Sequence, residues 1–327
     1  MATVTYLQAV REALAEEMRR DESVIVMGED VGAMGGAFLA TEGLFKEFGK
    51  DRVIDTPISE SLIVGAGVGA AVAGLRPVVE MQFMDFISCG FDQIVNMAAT
   101  TRYRHGGRAK VPMVVRGPSG AGVRGALFHS QDPEAWFFRV PGLKVLAPAT
   151  AADAKGLLKS AIRDDDPVIF FEHKRLYRRM KGEMPEGDLL VPIGKAATPR
   201  AGKDLLIVTY GGGLEWTLDA AETLAREDKV EVEVLDLRSL LPFDMEAILE
   251  ATRRINRVML VSEDRLTGGI ISEISARLAE QAFDWLDAPI ARVASKDVQV
   301  PYSEAMEAFV LPNAQKVVAR AREVLAY

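Results

Sequence analysis

The 327 residues carry 49% hydrophobic side chains and a net charge of −8, enough apolar content for more than one buried core. The acidic balance argues against a nucleic acid or an anionic membrane as partner, since neither surface would be attracted. A single cysteine, Cys89, excludes an internal disulfide and a cysteine-built zinc site, and it fits a reducing compartment.

Leu7, Val10, Leu14 and Met18 recur at helical spacing among Glu12, Glu16 and Glu17, which predicts an amphipathic helix and not an acid-poor transit peptide. Val24 to Met27 reads as a buried strand that ends in Gly28-Glu29-Asp30. In open α/β sheets ligands gather outside the carboxyl ends of strands, so Glu29 is a candidate site residue; a plain turn acid explains it equally well.

The stretch from Val53 to Cys89 organises the rest. Pro57 forbids a regular helix through Thr56, and Ser59 can cap a helix that starts near Glu60 and runs to about Leu75. Leu62, Ile63, Val64, Ala66, Val68 and Ala70 to Ala73, with Gly65, Gly67 and Gly69, make that helix apolar on nearly all sides, which predicts burial and close backbone packing. A carboxylate beside apolar walls is disfavoured in its charged form and can hold a proton near neutrality, so Glu60 is a candidate acid/base. It also fits a first-turn glutamate that the helix dipole stabilises. Gly65-x-Gly67-x-x-Ala70 matches a dinucleotide fingerprint formally, but it lies inside the helix rather than at its opening. The run from Leu62 to Leu75 is too short and too rich in glycine to span a membrane, and the reading is a cytoplasmic protein.

Strands are predicted at Val78 to Met81, Pro112 to Val115, Lys144 to Leu146 and Val168 to Phe171, and helices at Asp92 to Arg104 and Thr150 to Arg163. Between two of these strands runs a long glycine-rich segment, Gly117 to Gln131, which delivers His129, one of three histidines. Histidine suits proton transfer at neutral pH, although a solvated loop histidine fits as well. His105 and His173 read as structural, and Lys174, Arg175, Arg178, Arg179 and Lys181 as a solvated basic face.

Lys181 to Lys203 is the best linker. Beyond it the α/β pattern restarts, with strands at Leu205 to Thr209, Val230 to Leu235, Val258 to Val261 and Ile290 to Val293 and helices near Glu215 to Ala225, Asp244 to Arg254 and Ile270 to Phe283. Gly211-Gly-Gly213 reads as a tight strand-to-helix turn or as an anion cradle. The fold class is therefore α/β, with two domains of largely parallel sheet over residues 1–185 and 204–327, joined by a linker at 186–203.

The motifs Gly28-Glu-Asp-Val31, Asp55-Thr-Pro-Ile-Ser-Glu60, Gln82-Phe-Met-Asp-Phe86, Phe91-Asp-Gln-Ile94, His129-Ser-Gln131, Pro141-Gly-Leu-Lys144, Glu172-His-Lys-Arg-Leu-Tyr177 and Leu235-Asp-Leu-Arg238 occur in that order. Together they resemble the beta subunit of thiamine-diphosphate-dependent 2-oxo acid dehydrogenases, over essentially the whole chain. The resemblance implies a pyrimidine-binding domain over 1–185 and a transketolase C-terminal-like domain over 204–327. It implies that Glu60 is the carboxyl that favours the imino tautomer of the cofactor's pyrimidine ring, with Ile58, Ser59 and Leu62 lining the turn. Gln82 would hold the ring, Phe86 would stack on it, and Glu29 would make a further contact. Phe83, Met84, Asp85 and Phe86 would border the substrate pocket, and His129 would move protons near the reacting carbon.

Such families hold the Mg²⁺ of the diphosphate through Gly-Asp-Gly and a distant Asn, which are absent here. The resemblance therefore implies half an active site. Its alpha subunit would carry the metal and diphosphate in an α2β2 heterotetramer, and a lipoyl acyltransferase core would dock on the second domain. A K⁺ at Met113, Ala161, Ile162, Asp164 and Asp166 is a further implication; for the acids an exposed turn fits as well. The reaction implied is oxidative decarboxylation of pyruvate or a branched-chain 2-oxo acid with acyl transfer to lipoyl-lysine. Phe86-Ile-Ser-Cys-Gly90 leaves an acetoin-cleaving complex as the alternative.

Overall fold

The structure, a computed structural model, describes residues 3–327. The chain divides into two compact units, one of residues 1–119 and 136–193, the other of residues 120–135 and 194–327. A contiguous boundary does not describe this division, because the loop 120–135 packs with the later residues. Ala121, Val300 and Leu311 form one small apolar core there.

In chain order the first 193 residues form β1 (Thr3–Thr5), α1 (Tyr6–Arg20), β2 (Val24–Gly28), α2 (Leu44–Phe48), β3 (Val53–Asp55), α3 (Glu60–Val72), β4 (Arg76–Glu80), α4 (Ala99–Arg104), β5 (Val114–Ser119), α5 (Glu134–Phe138), β6 (Lys144–Leu146), α6 (Ala151–Arg163), β7 (Val168–His173), α7 (Leu176–Arg179) and β8 (Lys181–Glu183). The main sheet of the first unit runs β6-β7-β5-β4-β2-β3, all parallel. Its strands are buried on both faces, which is why they read as continuous apolar runs. The predicted helix at Asp92 to Arg104 contains a π-helical stretch, Gln93–Ala98, before α4. At α6, Thr150 accepts the amide of Asp153, the cap its sequence suggests.

Register places Asp55, Gly28, Glu80, Arg116 and Phe170 in one row across the sheet. From β2 the chain moves outward to β3, then returns across β2 to β4 and continues the other way. Adjacent strands whose connections leave in opposite directions open a crevice at their carboxyl ends. Glu29 leaves β2 at that crevice, and Gln82 lies two residues beyond β4.

The second unit holds β9 (Ala197–Arg200), β10 (Leu205–Thr209), α8 (Gly213–Glu227), β11 (Val232–Asp236), β12 (Ser239–Leu241), α9 (Met245–Ile255), β13 (Val258–Arg265), α10 (Ile270–Gln281), β14 (Ala291–Ser295), α11 (Glu304–Val310) and α12 (Ala314–Leu325). Its sheet runs β14-β13-β10-β11-β9, parallel except for the edge strand β9. A Cβ on Gly213 would come within 2.4 Å of Thr209 Oγ1, so this glycine serves a tight strand-to-helix turn.

Candidate active site

The organising helix α3 begins at Glu60, as Pro57 requires. Ser59 holds the cap position but makes no side-chain cap bond. Burial on all sides, the expectation for α3, is not what forms. Ile63, Val64, Gly67, Val68 and Ala71 are buried, whereas Leu62 and Val72 are each 57% exposed. One face packs on the chain's own sheet and the opposite face, equally apolar, lies open. Close packing explains Gly67, where a Cβ would lie 2.7 Å from Val79 and 2.8 Å from Met113 Sδ; at Gly69 nothing lies within 4 Å.

At the crevice, Glu29 is 6% exposed. Burial raises its carboxyl above the ordinary glutamate range, and the nearby charges of Glu60 and then Asp30 add to the effect. Glu60 is half-buried at the helix mouth. Asp30 holds a left-handed backbone, φ 57°, and its carboxylate accepts the Gln82 amide at 3.3 Å. Thr56 donates its amide to Gly28 O at 2.9 Å, which fixes the end of β3 against β2. The Thr56 Oγ1 is buried without a hydrogen-bond partner. Asp55 accepts the Gly32 amide at 2.6 Å and so holds the loop after Glu29. Ile58 is 83% exposed beside Glu60.

Phe86 is half-buried, and Phe83 packs edge-on against Phe38 with centroids 5.4 Å apart. Met84 and Asp85, expected to border a substrate pocket, are instead buried. The short helical turn Met84–Gly90 points Met84 inward, where its sulfur would lie 3.1 Å from a Cβ on Gly117. Beneath the crevice, Arg116 is fully buried between two carboxylates. It donates to Glu80 and to both oxygens of Glu172, and Tyr177 donates its hydroxyl to Glu172 at 2.6 Å. Burial raises the Glu80 carboxyl, while Arg116 pulls it down.

The structure thus gathers Glu29, Glu60, Gln82, Ile58, Ser59 and Leu62 around the ends of β2, β3 and β4. His129 belongs to the segment that packs with the second unit. The residues expected around K⁺ already have donors from the chain. Arg76 Nη1 donates to Ile162 O at 3.1 Å and to Asp164 O at 2.8 Å, while Met113 O accepts from Val168 and Ala161 O from Asp164. Lys144 holds the Asp164 carboxylate at 2.6 Å, and Arg102 donates to Asp166. Arg76 thus shares two of these carbonyls, and each carbonyl keeps a second lone pair. Asp164 is not an exposed turn acid, since its side chain is 18% exposed. The expected basic face is only partly solvated, because Lys174 is buried.

A groove of about 910 Å³, lined by residues that include Ala99, Arg102, Tyr103, Leu143 and Lys144, lies on the first unit; of the predicted site residues only Asp166 reaches it. Among the described residues, no helix is long and apolar enough to cross a membrane.

A crevice at a topological switch point is where α/β proteins of this class bind small ligands. Residues 2–180 match the family described as transketolase, pyrimidine binding domain, and residues 194–317 match transketolase, C-terminal domain. The chain is 50% identical to the 2-oxoisovalerate dehydrogenase subunit beta of Bacillus subtilis (strain 168), over 99% of both chains. It is 44% identical to the pyruvate dehydrogenase E1 component subunit beta of the same organism, over 100% of both. It is 46% identical to the acetoin:2,6-dichlorophenolindophenol oxidoreductase subunit beta of Cupriavidus necator, over 97% of this chain and 96% of that one. A solved structure, titled split gene transketolase, inactive beta4 tetramer, shares the fold with a TM-score of 0.80 at 24% identity, covering 99% of this chain and 98% of that one. The chain belongs to the beta subunits of thiamine-diphosphate-dependent 2-oxo acid dehydrogenases.

Proposed function

We propose that the chain is the beta half of a 2-oxo acid dehydrogenase that decarboxylates pyruvate or a branched-chain 2-oxo acid and passes the acyl group to lipoyl-lysine. One observation carries this reading: Glu29 and Glu60 share a crevice whose flanking apolar residues, Ile58 and Leu62, are 83% and 57% exposed. That is half of a site, which a second polypeptide completes. The donor set fits the pyrimidine half of thiamine diphosphate, with a carboxyl at a helix mouth, an amide at Gln82, an aromatic ring at Phe86 and an unsatisfied hydroxyl at Thr56. The bound cofactor supplies a nucleophilic carbon at C2.

Within this chain, Glu60 would exchange a proton with a ring nitrogen, beside Glu29, whose carboxyl burial raises above the ordinary glutamate range. Gln82 and Phe86 orient the ring, and Phe83 keeps Phe86's turn in place through its packing on Phe38. His129 moves protons as the substrate is attacked or the acyl group departs. The alpha subunit carries Mg²⁺ and the diphosphate in an α2β2 tetramer, and the second domain docks the acyltransferase core. A K⁺ held by Met113, Ala161, Ile162, Asp164 and Asp166 would share the Ile162 and Asp164 carbonyls with Arg76. The acetoin-cleaving alternative rests on the 46% identical relative and on Phe86-Ile-Ser-Cys-Gly90.

Glu60→Gln in the assembled tetramer tests the assignment. The amide keeps the shape but cannot exchange the proton, so C2 proton exchange, followed by NMR, should slow by about 10² or more while assembly holds. Exchange as fast as in the unmodified enzyme would return Glu60 to the role of a helix-start residue.

A further inference from the structure

The glycine-rich segment that carries His129 is a closed loop. The Gly120 amide donates to Gln131 O at 3.0 Å, which brings its two ends together, and the Gln131 side chain donates back to Leu127 O at 2.9 Å. Inside the loop, a Cβ on Gly125 would lie 2.6 Å from His129 O and 2.8 Å from His129 Cβ, so the turn closes directly onto the histidine.

Two carboxylates of the second unit grip the start of this loop. Glu263, on β13, accepts the Ala121 amide, and Glu307, on α11, accepts the Gly122 amide at 3.0 Å. Both glutamates are 5% exposed, far from the usual solvated state of that residue. Each holds a backbone amide of the loop. An ionised carboxylate on a backbone amide makes a short, charge-assisted bond, and a buried one fixes position with little play. Each anchor is itself held: Ser295 donates to the carbonyl of Glu263, and the Glu307 amide donates to Ser303 O at 2.8 Å. Ala121 seats its methyl against Val300 and Leu311 between them. By contrast, the Arg124 to Glu304 pair on the same loop is well exposed and contributes little.

We infer that Glu263 and Glu307 are positioning residues for His129, setting through the Ala121 and Gly122 amides how the loop is seated within the second unit. The inference rests on the proposed proton-transfer role of His129. With reacting groups, a displacement of about 1 Å can cost about 10²-fold in rate, so a loop gripped at its base matters more than its solvent-exposed tip.

The chain has three histidines, so the ring resonances can be resolved in the full chain. Glu263→Ala and Glu307→Ala should each move or broaden the His129 ring signal while leaving that of His105 in place. Glu307→Gln, whose amide oxygen can still accept the Gly122 N–H, should restore it. In the enzyme assembled with its alpha subunit, Glu307→Ala should lower kcat by about 10- to 100-fold with KM within about twofold, and should cost nothing further in a His129→Ala background. Should Glu263→Ala fail to fold, the Glu307 pair of variants carries the test alone. An unmoved His129 signal in the alanine variants overturns the inference whatever the rates do. The same fractional loss in the His129→Ala background also overturns it, because the glutamates would then act by general loosening. A moved signal together with normal turnover of His129→Ala upholds the placement and overturns the proton-transfer reading alone.

Discussion

The carboxyl of Glu29 lies within the field of Glu60, and that neighbour adds to burial in keeping Glu29's proton above the ordinary glutamate range. The two contributions can be separated. Replacing Glu60 by Gln removes a like charge but leaves the burial, so the Glu29 pKa should fall and still stay above the ordinary value. A carboxyl ¹³C titration of the full chain, unmodified and Glu60→Gln, reads this directly. An unchanged Glu29 midpoint would mean that the two carboxylates do not communicate.

Much of this arrangement is visible in the order of residues. Pro57 dictates where α3 begins, and apolar runs bounded by turn residues give β2, β4, β6, β7 and β10 nearly to the residue. Glu29 reads as a site residue because it follows a strand, Gln82 only through the family resemblance, and the strand order then brings both to one crevice. What stays hidden is the difference between an apolar side chain that meets its own core and one left at the surface. Leu62 and Ile63 look alike in sequence, yet one is 57% exposed and the other 1%. Met84 and Phe86 are two positions apart, and only the turn geometry of Met84–Gly90 sends one inward. The loop 120–135 is a second case. Its sequence position lies within the first domain, while the acids that hold it come about 140 and 185 residues later. Glu80 ends β4, Arg116 lies in the middle of β5 and Glu172 is next to last in β7, and only the register and the fold bring the three together.

That buried trio gives a stability prediction. Arg116 is fully buried and is the cation that Glu80 and Glu172 share, so Arg116→Met removes it from both. Breaking a buried ion pair by removing one partner costs about 3–5 kcal/mol, against about 0–1 kcal/mol for a surface pair such as Arg320 with Glu323. Amide hydrogen exchange on β4, β5 and β7 should show the loss locally. Protection within about 1 kcal/mol of the unmodified chain would indicate that the carboxyls simply take up protons and that the charges were never needed.

Asp264 makes the second unit sensitive to pH. Burial, first of all, pushes its carboxyl up to about 6 from 3.8, with smaller contributions of the same sign from Asp297 and Glu263; the Arg265 amide and charge oppose them. Glu134 beside it is pushed well above its ordinary value, by burial and then by Asp264. The sign follows from proton binding. Below about pH 4 Asp264 is protonated folded or unfolded, so the stabilisation relative to the charged form is fully present, and it is lost as pH rises through about 6. A displacement of that size corresponds to about 3 kcal/mol between the two ends of the window. The second unit should therefore unfold more readily at pH 7.5 than at pH 5, and Asp264→Asn should reduce that slope by removing one of its buried titrating groups. Denaturant unfolding of the full chain at the two values, followed on Trp216 and Trp285, measures the slope. If Asp264→Asn loses stability with pH as steeply as the unmodified chain, Asp264 is solvated after all and the pH dependence belongs elsewhere.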